Sequence, residues 1–519
     1  MKLSPRNYNI LFHLHTVSGI VLAAALFIIF FAGAFTLFRW EFFLWENTEA
    51  RKMEVVPLQF EQVISGIKQE EPSFDFNDDT YITFPSAVNP LVQVYGHLEA
   101  KEGEIHYAGK MDPRSYTLWD KPQSTVGDTL YHLHYFAQIP FAGMWIAGFV
   151  SLFFVFALIT GVLVHWKNIW SKFWSFSFQG ARKQLWTNAH TVFGLLGLPY
   201  QLMYALTGAF YLLLLLALLP VVMVFYEGKP EKVYALAYPM YGVSYDSTAA
   251  EADHVPRLQT LYEEVGRQYG SDYELVAVQT HHLGREDAAA NFRLVHRNSE
   301  KFIRSGYLGY RLKDGEVLYS SLPGERFTQA FVEGISQVHF ATYGGLYLKV
   351  LYFVLALFSC FVFVSGILVW KEARKNARYT PDQQRFHART TRILLSVCFS
   401  LYPAVALLFS TELLVPSGEN HALYVNTVFF LAWLLFSSAL LGAEGQMLRR
   451  NLFLGGIFGL AVPIVNGSIT GDWIWRSTQV AVWGTDLAWA ILGLFTLFLA
   501  AYGKLNSALP YRQNEISAL

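Results

Sequence analysis

The sequence predicts an all-α polytopic membrane bundle of about eight transmembrane helices with two small α+β modules outside the lipid. Three observations carry that prediction. Composition is the first. Of 519 residues, 53% are hydrophobic, 17% aromatic and only 15% charged, where soluble domains carry roughly a quarter charged residues. The second is a set of eight apolar runs, at about 14–38, 139–164, 191–225, 343–370, 393–414, 423–443, 452–470 and 479–503. Each is close to the ~20 residues that cross a hydrocarbon core. In lipid, such a backbone must satisfy its own hydrogen bonds, so these runs are helices. The third is an internal repeat, which makes the first four helices a duplicated helix–module–helix unit.

These runs divide the chain. A first span (8–40) leads to a module at 41–131, and a second span (132–166) to a loop at 167–187. A third span (188–226), a module at 227–337, a fourth span (338–371) and a loop at 372–391 repeat the order. A four-helix extension (392–505) and a tail (506–519) complete the chain. The apolar run near the N-terminus is too long for a signal peptide, so it is read as a retained helix.

Short-loop charge sets orientation. One loop carries Lys167, Lys172, Arg182 and Lys183 without an acid. Another carries Lys371, Arg374, Lys375, Arg378, Arg385, Arg389 and Arg392 against Glu372 and Asp382, and Arg449 and Arg450 follow on the same side. These loops and both termini are expected in the cytoplasm, and the modules in the periplasm of a bacterial cell, with the spans in its inner membrane.

The modules show strand-like alternation at Tyr81–Phe84, Leu91–Tyr95, Glu104–Tyr107 and Ser115–Leu118, then at Glu274–Val278, Asn291–His296 and Arg311–Tyr319. Asp314-Gly315 signals a tight hairpin turn. A net charge of −1 gives no basic footprint for nucleic acid. Cys360 and Cys398, both inside apolar runs, exclude a disulfide framework, a CxxC motif and a four-cysteine cluster.

The repeat aligns His15-Thr-Val-Ser-Gly19 and Gly33-Ala-Phe35 with His190-Thr-Val-Phe-Gly194 and Gly208-Ala-Phe210. It also aligns His134-Tyr and Thr160-Gly161 with His339-Phe and Ser365-Gly366. Histidine precedes glycine by 18 positions in the first pair and 27 in the second. Both copies start on one membrane side, so the symmetry axis is expected along the membrane normal. His15 and His190 then face each other near the cytoplasmic surface, and His134 and His339 near the periplasmic one. Paired imidazoles above and below one iron are what a b-type heme requires, so two hemes b are expected, with heme iron held through His15, His134, His190 and His339. The glycines would let a porphyrin edge or a neighbouring helix come close. A metal without porphyrin would want carboxylates nearby, and acids are few in these spans. His165, opposite Trp370 in the repeat, is an alternative cytoplasmic ligand. Lys349, in an apolar run, reads either as a propionate contact or as a snorkelling lysine. His13 and His132 sit two positions from better candidates and read as interfacial. Arg39 and Trp40 read as an interfacial anchor.

In order and spacing, His13-Leu-His15-Thr-x-x-Gly19, Thr160-Gly161-Val-Leu-Val-His165-Trp-Lys, Asn188-Ala-His190-Thr-x-x-Gly194-x-x-x-Leu-Pro199 and His339-Phe-x-x-x-Gly344-Gly345 resemble the PepSY-associated transmembrane proteins. The resemblance covers about residues 8–375 and is closest to the PiuB-like branch of inner-membrane ferric-siderophore reductases. It implies PepSY modules, a diheme core and reduction of a ferric-siderophore or other ferric chelate. The extension after about residue 390 departs from the four-helix pattern, and quinone access, assembly and partner docking are open roles for it. No loop holds a nucleotide-binding domain and no GxGxxG precedes an acidic residue, so a membrane quinol or a separate cytosolic reductase is the expected donor. His97, His106, His281 and His282 lie in the modules, the last two in a polar loop and expected to be solvated. Two other classes stay open: a non-redox membrane sensor or protease regulator built on PepSY modules, and a transporter, since parallel repeats also occur there.

Overall fold

The computed structural model describes residues 4–100, 103–119, 125–169, 171, 181–243, 246, 248–298, 300–442 and 446–502. Lys172 and the tail 506–519 lie outside these residues. The chain begins with helices α1 (Pro5–Thr36), α2 (Arg39–Glu46) and α3 (Phe60–Glu70), then strands β1 (Thr80–Thr83), β2 (Val92–Ala100) and β3 (Gly103–Met111). Helices α4 (Thr125–His134), α5 (Gly143–His165), α6 (Arg182–Leu196), α7 (Leu198–Phe225) and α8 (Val255–Tyr269) come next. Strands β4 (Tyr273–His281), β5 (Ala289–His296), β6 (Ser305–Arg311) and β7 (Val317–Ser321) precede helix α9 (Phe327–Phe340). The remaining helices are α10 (Gly345–Ala373), α11 (Pro381–Leu414), α12 (His421–Leu441), α13 (Met447–Thr470) and α14 (Val480–Ala501).

Among the described residues, eight helices are long and apolar enough to span a membrane: α1, α5, α7, α10 and α11 to α14. They match the apolar runs one for one. Their ends differ from the sequence reading where local chemistry intervenes. Thr380 and Gln383 form a capping box, with Pro381 in the first turn, so α11 starts well before residue 392. His387 lies inside it.

The second and fourth spans are shorter than expected. Pro140 falls in the stretch between α4 and α5, where Phe136 and Phe141 adopt φ of 61° and 60°. Proline cannot continue a helical ladder and pushes its predecessor out of the helical region. His134 therefore ends a short separate helix rather than opening the span. The fourth span is broken without a proline: Ala341, in the left-handed region at φ 53°, caps α9, and α10 begins at Gly345.

The described chain forms two compact units: Met1–Glu46 with Pro122–Leu214 and Lys349–Leu519, and Asn47–Lys121 with Leu215–Leu348. In the first, Phe30 is the centre of an aromatic core and packs edge-on against Phe154, Tyr200, Tyr204 and Phe363. The extension docks on α1 and α2. Trp489 stacks on Phe35, and Phe409 meets the Trp45 ring at 5.3 Å. Buried Trp45 donates Nε1–H to Asp486 Oδ1 at 2.8 Å, and Asn466 Nδ2 donates to Asp486 Oδ2 at 2.7 Å. Within the extension, α13 and α14 approach closely at small residues. A Cβ on Gly456 would stand 3.0 Å from the Gly493 carbonyl oxygen, the backbone proximity typical of membrane helix pairs.

The second unit differs from the expected pair of modules. Its strands form one antiparallel sheet in the order β3-β2-β1-β4-β5-β6-β7. The join is β1 against β4, running from Thr80↔Thr280 to Thr83↔Ala277. The alternation in each half predicted strands but carried no information on which edges pair. Helices α3 and α8 cover one face, burying Ile64, Ile67, Leu258 and Leu261 against Val94, Val278, Phe292 and Leu308. The β6–β7 turn is as expected, with Gly315 at φ 78° and Asp314 Oδ1 accepting the Glu316 N–H at 3.0 Å. Ser115–Leu118 is not a strand. Asp112 accepts the Arg114 N–H and pairs with its guanidinium, which makes a turn and leaves one bridge, Met111↔Leu118. The guanidinium beside it holds the Asp112 carboxyl below the usual carboxylate range. One sheet contains both halves, although two candidate spans, α5 and α7, lie between them in the chain.

Trp45→Phe keeps the ring and removes the donor to Asp486. It should lower stability by about 1–3 kcal/mol, the cost of stranding a buried acceptor. An unchanged thermal midpoint in detergent would show that this bond does not secure the extension.

Candidate functional site

The first unit brings His15 and His190 together. Their ring centroids are 6.1 Å apart with the planes inclined by 55°. His15, on α1, donates Nδ1–H to the Ala157 carbonyl on α5 at 2.9 Å. His190, on α6, donates Nδ1–H to the Val362 carbonyl on α10 at 3.0 Å and lies 3.2 Å from Ser365 Oγ. Ala157 and Val362 occupy equivalent positions in the repeat. So do Gly161 and Gly366, one helical turn further on, and each meets the ring. A Cβ on Gly161 would lie 3.0 Å from His15 Cε1, and one on Gly366 3.2 Å from His190 Cε1.

His134 follows the same rule. Its Nδ1–H donates to the Ile29 carbonyl on α1 at 2.7 Å. A Cβ on Gly33, one turn after Ile29, would come within 2.6 Å of that ring nitrogen. Three histidines thus share one arrangement: a carbonyl takes Nδ1–H, a glycine four residues later admits the ring, and Nε2 is directed elsewhere. A carbonyl only accepts, so each bond fixes the Nδ1–H tautomer, the form in which Nε2 is a metal ligand.

The other sequence candidates behave differently. His165 ends α5 within electrostatic reach of His190. His13 is exposed, and His132, also exposed, has its ring against Tyr131 and Tyr135. Gly19 has open space where a Cβ would stand, whereas Gly33 is turned onto His134. The ammonium of Lys349 pairs with Glu41 at 2.6 Å, with both side chains largely buried. Arg39 pairs with Asp128 and lies over the Tyr131 ring. Among the described residues, no three His, Cys, Asp or Glu side chains converge as a metal site.

In the second unit, His339 is on α9, which is tied to the sheet by buried polar groups. Glu333 Oε1 accepts the N–H groups of Arg304 and Ser305, both at 2.8 Å, and Gln329 Nε2 donates to the Ser305 carbonyl at 2.8 Å. Beside them Arg293 faces Tyr81 and Tyr307, and burial pushes the Tyr307 hydroxyl up to about 12. His97, His106, His281 and His282 each have a side-chain partner. His281 is buried at the end of β4 against Asp79, so it is not solvated, while His282, in the bend that follows, is half-buried 3.0 Å from Asp287. His97 and His106 are cross-strand neighbours with ring nitrogens 2.7 Å apart.

Sequence reasoning missed the buried pairs Glu41–Lys349, Glu412–His421 and Asp486–Asn466. Ionisable residues inside apolar runs were the available signal.

Among the described residues, eight candidate spans, one antiparallel sheet and a histidine pair on helices of the two sequence repeats define a multi-pass membrane protein. The model of the PepSY-associated TM region matches residues 12–373, and the chain belongs to this family. It is 25% identical over 396 residues to an uncharacterized protein of Pseudomonas aeruginosa, a match covering 74% of this chain and 96% of that one. Helices α11 to α14 lie beyond the family match.

Gly33→Ala would drive a methyl group into His134 and should cost about 1–3 kcal/mol as overpacking. Gly194→Ala, whose Cβ would meet only Val362 at 3.9 Å, should be neutral or stabilising by up to about 1 kcal/mol. Thermal midpoints of the two variants check this, and equal shifts would contradict the close contact at Gly33.

Proposed function

We propose that this chain is an inner-membrane oxidoreductase that holds two b-type hemes and passes electrons from a cytoplasmic or quinol donor to a periplasmic ferric chelate such as a ferric-siderophore. The observation that carries the reading is the histidine arrangement: Nδ1–H committed to a backbone carbonyl, Nε2 left for a metal, and a partner imidazole 6.1 Å away. Two imidazoles ligating one metal at about 2 Å each have centroids about 6 Å apart once the rings are added, so His15 and His190 fit such a group. His134 carries the same donor geometry, and the sequence repeat assigns His339 as its counterpart. A bis-histidine heme supplies reversible one-electron transfer.

The chain's own residues do the remaining work. The carbonyls of Ala157, Val362 and Ile29 fix each ring's tautomer and tilt, and hydrogen-bonding Nδ1 raises the basicity of Nε2. Glu41 neutralises Lys349 and holds its ammonium in place within the bundle. One electron delivered to chelated ferric iron gives ferrous iron, which a hard-oxygen chelator holds less tightly. The inner-membrane placement, with termini and basic loops cytoplasmic, rests on loop charge.

The purified protein should show a Soret band and about two hemes per chain by pyridine haemochrome assay. After reduction with dithionite, ferric chelates should reoxidise it. A protein without heme would overturn the reading and leave a non-redox PepSY sensor or regulator in its place.

His190→Ala should remove one heme equivalent and leave the other, as should His134→Ala. His165→Ala should leave both. Loss of a heme from the His165 variant would move the cytoplasmic ligand from His15 or His190 to His165.

A further inference from the structure

The extension beyond the family match contains a cavity of its own. It measures about 740 Å³ and lies between the ends of α12, α13 and α14. Its walls are apolar and include Phe436, Phe453 and Leu497, and its polar lining is Gln446, Arg449 and Arg450. Arg449 is held in place, donating Nε–H to the Ala500 carbonyl at 2.8 Å. Among the described residues, no acid lines the cavity and neither arginine has an ion-pair partner. Two cations at the mouth of an apolar slot want an anion with a hydrocarbon body. A quinol fits the apolar walls but not the polar end: its oxidation releases protons, and among the described residues no histidine or carboxylate lines the cavity to take them. Its neutral head would also leave both arginines uncompensated.

We propose that this cavity binds an anionic phospholipid, the phosphate on Arg449, Arg450 and Gln446 and the acyl chains along Phe436, Phe453 and Leu497. Basic pockets between membrane helices commonly take such headgroups. Loop charge places this end of the bundle at the cytoplasmic leaflet, where phosphates lie level with the arginines. The site joins three helices of the extension through one ligand and is independent of the redox reading.

The test uses the full-length protein in a neutral detergent. Phosphatidylglycerol, phosphatidylcholine of the same chains, inorganic phosphate and a short-tailed ubiquinone are each added, and bound ligand is counted by native mass spectrometry. Phosphatidylglycerol should bind at least tenfold more tightly than phosphatidylcholine and resist displacement by phosphate or quinone. The Arg449→Gln/Arg450→Gln variant should lose that preference, while Arg385→Gln, on the exposed start of α11, should keep it. Equal binding of the two lipids, displacement by inorganic phosphate or by quinone, or an unchanged preference in the double variant would each overturn the proposal. If the double variant does not fold, the wild-type lipid series decides alone.

Discussion

The candidate site depends on one small bond, a histidine Nδ1–H to the carbonyl of a facing helix, made where a glycine removes the side chain that would block it. Three such bonds, from His15, His134 and His190, join α1 to α5, α4 to α1 and α6 to α10. Each does two things at once. It satisfies an intramembrane polar group and sets the tautomer. The glycine one turn beyond the accepting carbonyl brings the helices close enough for it to form. Without the glycine the ring would be displaced; without the carbonyl it would be free to rotate.

Polar groups elsewhere in the membrane region are also matched locally. Glu41 meets Lys349, Glu412 meets His421, and Asp486 receives donors from Trp45 and Asn466. Two of these matches, Glu41–Lys349 and Trp45–Asp486, draw on α2, a short helix that a hydropathy reading treats as the start of a module. It belongs to the first unit and bonds to α14, which gives the extension a fixed seat on the family core.

Much of this was legible in the sequence. Eight apolar runs correspond to the eight candidate spans among the described residues, and the repeat that paired His15 with His190 also predicted equivalent positions for the groups they touch, Gly161 and Gly366. What hydropathy could not show was where a helix breaks inside an apolar segment. The stretch around Pro140 and the cap at Ala341 divide segments that look continuous. Strand pairing was equally hidden, because alternation in β1 and β4 reports a buried face and not a neighbour. His281 looked solvated because the pairing that brings it to Asp79 spans about two hundred residues.

The shared sheet also imposes an order on biogenesis. Strand β1 leaves the ribosome early, but its neighbour β4 follows only after two further membrane spans have been made. Until then the β3-β2-β1 ribbon has an open edge, with those N–H and C=O groups of Thr80–Thr83 that face β4 unpaired. Open edges of this kind recruit stray chains, and closing them over long sequence separations is slow. Assembly of this protein therefore includes a waiting period, during which the half-built sheet is the part of the molecule most vulnerable to proteases and to association with its own copies.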